Sequence, residues 1–165
     1  MNAMKKLEHI FTNSKLHNNI KIRIFKACVE SIFLYNSELW TLTKTAANKI
    51  DSFHRRLMRK ALNIKWPNKI ASETLYKDTK QKPWSKIIKT RRLRWFGHAT
   101  RLPAETPAKI ALTEAKRKIK KPKGGQKSTW MAVLEKDLKA QNLTLEGATE
   151  LAYDRDAWRR VVRNC

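Results

Sequence analysis

Lys86, Thr90, Arg94, Gly97 and Arg101 follow one another at spacings of three and four residues, so a helix would align them on one face. Fixed cations in such a row do one kind of chemistry, which is to neutralise the phosphates of a polyanion and release its condensed counterions. Gly97, in the middle of the row, costs a helix roughly 1 kcal/mol against alanine. It therefore marks a close approach by another backbone, either nucleic acid or a packed helix. A second row, Arg55, Arg56 and Arg59 with Lys49 and Lys60, lies opposite the apolar face of an earlier helix. A third cluster places Lys116, Arg117, Lys118, Lys120, Lys121, Lys123 and Lys127 around Pro122 and Gly124-Gly125. Mutual repulsion predicts an arm that orders only when an anion neutralises it, and the same residues suit a nuclear-localisation signal.

Other chemistries lack their residues. His9, His17, His54 and His98 are scattered, and neither Cys28 nor Cys165 has a partner at zinc-ligand spacing. There is no G-x-S-x-G elbow, no Walker loop and no evident Cys-His pair. Tyr153-Asp154-Arg155-Asp156 brings two carboxylates together, but Arg155 separates them and Asp154 suits a helix cap. The expectation is a chain with no catalytic residue, no metal or other cofactor and no small-molecule substrate.

These cations need a scaffold, and the composition provides for one. Hydrophobic residues make up 41% of the 165, with six tryptophans, which is enough for a modest core. Lys and Arg number 37 against 14 Asp and Glu, a net charge of +23, which attracts nucleic acid or an anionic surface. No apolar run approaches the roughly 18 residues of a membrane span, and no signal-peptide pattern is present. An intracellular and, from the charge, nuclear setting with reduced thiols and no membrane partner is expected.

The periodicity predicts a mainly all-α chain. A helix from about 18 to 34, capped by Ser14 or Asn18, carries Ile20, Ile24, Phe25, Cys28, Val29, Ile32 and Phe33 over more than half its circumference. It is expected to be the most buried, with Arg23, Lys26 and Glu30 as its wet stripe. Residues 35–43 read as a turn and a brief extended piece. A helix from Thr43 to about Ile64 buries Ala46, Ala47, Ile50, Phe53, His54, Leu57, Ala61 and Ile64, which makes His54 a hydrogen-bonded core residue. Ser72 would cap a short helix. The helix of the first row, about 83–100, buries Trp84, Ile87, Ile88, Trp95, Ala99 and Leu102. Thr106-Pro107 starts another, and Ser128 or Thr129, Thr144 and Asp154 cap the last three, with Trp130 and Trp158 inward. Trp66 and Tyr76 are candidate stacking platforms for bases. The organisation expected is a helical region 1–115, a basic Gly/Pro arm 116–128 and a C-terminal helical hairpin 129–165.

Four blocks cover nearly the whole chain in order: YNSELWTLT (Tyr35–Thr43), FHRRLMRKALNIKW (Phe53–Trp66), RRLRWFGHATR (Arg91–Arg101), and Trp130 through DRDAWRRVV (Asp154–Val162). Together they resemble the region downstream of the catalytic palm in the reverse transcriptases of LINE-type non-LTR retrotransposons, which are endonuclease-reverse transcriptase polyproteins. Two positions depart from that pattern. Asn36 stands where the family has glycine, and Gly125-Gln126-Lys127 stands where Gly-Arg-Pro usually precedes the tryptophan. The resemblance implies a thumb and the segment after it, gripping template-primer as RNA, DNA or hybrid beside the remaining polymerase domains. The palm's aromatic-x-Asp-Asp motif does not occur here, so its magnesium would belong to that missing domain and this chain alone would not be an enzyme. Met1-Asn2-Ala3-Met4 reads as a fortuitous start within a longer frame. A stand-alone domesticated DNA- or RNA-binding protein and a functionless remnant are the alternatives.

Overall fold

A computed structural model describes residues 2–116 and 129–164, whose regular structure is helical throughout, with no strand among them. The chain is all-α. It divides into two compact units, Met1–Tyr35 with Lys44–Ser85, and Asn36–Thr43 with Lys86–Cys165. The division thus falls at Ser85–Lys86 rather than in the expected arm 116–128. The helices after residue 129 share one core with the helix that precedes the arm, because their apolar stripes have nothing else to cover them.

The first unit contains α1 (Asn2–Lys6), α2 (Glu8–Thr12), α3 (Asn18–Phe25), α4 (Ser31–Phe33), α5 (Lys44–Ala61) and α6 (Ser72–Thr79). A π-helical turn, Lys26–Glu30, joins α3 to α4. α5 packs against α2 and α3 through His54, Leu57, Met58 and Ala61, close to the predicted face. The α3–α4 segment is less buried than its sequence suggests, since Ile20, Cys28 and Ile32 are exposed. An apolar arc that wide cannot be covered by neighbours on one side. Its cap is also different, with His17 Nδ1 accepting from the Asn19 N–H at 3.2 Å in place of Ser14 or Asn18. Glu30, expected on the wet stripe, is buried and accepts the Trp84 indole N–H at 2.8 Å. Lys21 is buried too, its ammonium donating to the Phe11 carbonyl at 2.8 Å. Ser72 begins α6 without capping it.

Trp84 is fully buried and stacks with Phe33 at 4.2 Å and His54 at 4.4 Å between ring centroids. Burying one such side chain contributes roughly 1.5–3 kcal/mol. His54 is a core residue as expected. The Tyr76 hydroxyl is hydrogen-bonded with its Nδ1 at 3.4 Å, and burial, reinforced by Arg55, lowers its pKa to about 3. Asp51 accepts from both the N–H and the hydroxyl of Ser85, at 2.9 and 2.6 Å, and so anchors the start of α7 (Trp84–Arg101).

The second unit holds the rest of α7 with α8 (Pro107–Lys116), α9 (Trp130–Lys139), α10 (Leu145–Leu151) and α11 (Arg155–Arg163). Asn36 adopts φ 52°, a left-handed conformation open to glycine and asparagine more than to other residues. The 3-10 turn Ser37–Leu39 follows and Trp40 after it is extended, in the expected order of a turn and then an extended piece. Thr129, Thr144 and Asp154 cap α9, α10 and α11 with their side-chain oxygens, as the sequence predicts. Leu93, Phe96, Ala99, Leu112, Leu134, Leu138, Ala152, Trp158 and Val162 form the core. Leu93 and Phe96 lie outside the single predicted stripe of α7, because helices flank α7 on more than one side and bury more than one face. Arg92 is also buried, bonded to the Asp137 carboxylate and to the Trp40 carbonyl.

Candidate nucleic-acid interface

The site is built where α7 meets α11. Gly97 is buried, and a Cβ placed on it would lie 2.1 Å from Trp158 Nε1. That indole donates to the Leu93 carbonyl at 3.0 Å, so the glycine serves helix packing and not contact with an outside backbone. With α7 and α11 held this close, their polar edges border one groove of about 500 Å³. Trp158 and Val162 line it, and Arg94, His98 and Arg101 enter from α7. Arg155, Arg159 and Arg163 enter from α11. Among the described residues no carboxylate lines the groove. Asp156 pairs with Arg159 at 2.9 Å, an exposed and therefore weak contact.

The electrostatics carry the mark of this crowding. Partial burial, and after it the charges of Arg155 and Arg159, push the Arg101 guanidinium below its usual range. Arg101 also donates to the Ala152 carbonyl, so it is half-buried and partly structural. Five guanidiniums sharing a groove favour an anion, and a guanidinium presents the planar fork that phosphate accepts.

The other predicted cations disperse. Lys86 is exposed but does not line this groove. Arg55, Arg56 and Arg59 belong to the first unit, and only Arg56 of the three is exposed, its guanidinium 5.2 Å from the Phe53 ring centroid. Arg55 donates to Ser52 Oγ at 2.8 Å. Arg59 ties the loop before α6, donating to the Ile70 carbonyl at 3.0 Å and to Ser72 Oγ at 3.4 Å. Lys116 is half-buried, bonded to Thr149 Oγ1 at 3.2 Å, and burial lowers its pKa. Arg117, Lys118, Lys120, Lys121, Lys123 and Lys127 lie outside the described residues. Of the proposed base-stacking rings, Trp66 is 81% exposed, while Tyr76 is engaged with His54.

Arg155, Arg159 and Arg163 were not among the cations predicted from the sequence. Their spacing of four along one helix was the available signal. Asp154, at the head of α11, accepts from the Asp156 and Ala157 N–H groups, which hold its carboxyl below the usual range. Among the described residues no group of three or more His, Cys, Asp or Glu stands ready for a metal ion, and no helix is long and apolar enough to cross a membrane. No protein-family model, curated protein or solved structure matches the chain.

Proposed function

We propose that this chain is a nucleic-acid-binding helical module that holds a sugar-phosphate backbone in the α7–α11 groove and acts by binding, without chemistry of its own. The observation that carries the reading is the convergence of five arginines from two helices on one groove that, among the described residues, no carboxylate lines. The net charge of +23 supports it by steering polyanions toward the chain. Phosphate contacts of this kind position a strand without reading its bases, so sequence preference would be weak.

The likeness of the four sequence blocks to the thumb region of LINE-type reverse transcriptases favours a template-primer as the partner, within a polymerase whose catalytic palm lies elsewhere. Asn36 is compatible with that likeness, since its left-handed backbone is one that glycine would adopt freely. The test is a titration of labelled RNA-DNA hybrid, duplex DNA and single strands across a salt series, with the Arg94→Glu/Arg159→Glu variant beside the wild type. Both side chains are exposed, so the variant should stay folded and lose at least about tenfold in affinity, or roughly 1.4 kcal/mol. Equal affinity of variant and wild type at low salt would remove the groove from the reading.

A further inference from the structure

We propose, building on the nucleic-acid reading above, that the α7–α11 groove takes an extended single strand, with successive phosphates between the two cationic rows and a flanking base stacked on Tyr153. On α11, Arg155, Arg159 and Arg163 recur every four residues, a step of about 6 Å along the helix. On α7, Arg94, His98 and Arg101 keep nearly the same step on the opposite side. One strand of a duplex winds about the helix axis and curves away from a straight row, whereas a drawn-out single strand can follow the row and stay straight.

α7 and α11 approach so closely at Gly97 that both rows face a single groove of about 500 Å³. An exposed aromatic ring neighbours the groove in the chain. Tyr153 is 62% exposed and directly follows Ala152, whose carbonyl holds Arg101. Lys109 Nζ lies 5.9 Å from the Tyr153 ring centroid, adding a cation beside the stacking surface. A cationic track with an exposed ring beside it is how unpaired strands are held without regard to sequence, since every unpaired base has a free face and a paired, stacked base does not.

The experiment is fluorescence anisotropy on the full chain with short labelled oligothymidylate and oligouridylate and a blunt duplex of equal length. Tyr153→Ala should weaken single-strand binding about fivefold or more and leave duplex binding unchanged, while Tyr153→Phe restores it. Arg155→Gln/Arg159→Gln/Arg163→Gln, all at exposed positions, should lower the single-strand salt slope by about 2. If Tyr153→Ala leaves single-strand affinity intact while the triple variant still weakens it, the strand assignment is overturned and the phosphate grip survives. Tighter binding of duplex than of single strand has the same meaning. If neither oligonucleotide binds in a salt-dependent way, the nucleic-acid reading falls with it.

Discussion

The indole of Trp158 occupies the space that a side chain at position 97 would need, with Nε1 2.1 Å from where a Cβ of residue 97 would stand. Gly97→Ala must therefore displace the indole and break its bond to the Leu93 carbonyl. The gain in helix propensity, at most about 1 kcal/mol, does not offset that overpacking. Urea unfolding should show a net loss of about 1–3 kcal/mol, and because α7 and α11 form the groove, oligonucleotide affinity should fall as well.

Arg94 and Arg101 sit on one helix face and should behave differently when truncated. Arg94 is exposed, so Arg94→Ala should reduce the salt-dependent part of binding and change stability by less than about 0.5 kcal/mol. Arg101 holds the Ala152 carbonyl, and Arg101→Ala should cost about 1–2 kcal/mol of stability in addition to affinity. Parallel thermal melts and binding titrations separate the two, and identical profiles would contradict the distinction.

His54 ties stability to pH. Its folded pKa of about 3 lies below the ordinary value of 6.5, so the unfolded chain takes up a proton that the folded chain refuses. The stability it contributes is full above pH 6.5 and is lost as pH falls toward 3, at close to 1.4 kcal/mol per unit in between. Denaturation at pH 7 and pH 5 should differ by about 2 kcal/mol from this residue. His54→Phe keeps a ring against Trp84 and should flatten the difference; an equally steep fall in that variant would assign the effect elsewhere.

Arg92 and Asp137 form an ion pair whose arginine is almost wholly buried. Removing one partner leaves the other charge in the interior without compensation, so Asp137→Ala should destabilise the chain by about 3–5 kcal/mol. Replacing both with apolar residues should recover much of that loss, which a double-mutant cycle measures directly. Strict additivity of the two single changes would show the pair to be uncoupled.

The helices, most of their limits and their threonine and aspartate caps were legible in the sequence because periodicity and capping are local. Thr129, Thr144 and Asp154 need only the N–H groups two or three residues ahead of them. The charge sign of the chain, and with it the class of partner it attracts, was also a property of composition alone. Pairing between helices was not, since it depends on which stripe meets which. That choice turned Glu30 and Arg92 into buried partners of Trp84 and Asp137, and settled Gly97 as a packing position under Trp158. It also brought Arg155, Arg159 and Arg163, more than fifty residues along the chain, to the edge that Arg94 and Arg101 already lined. Cations spaced along one helix can be seen in a string of letters; a groove between two helices exists only once hydrophobic burial has selected their contact.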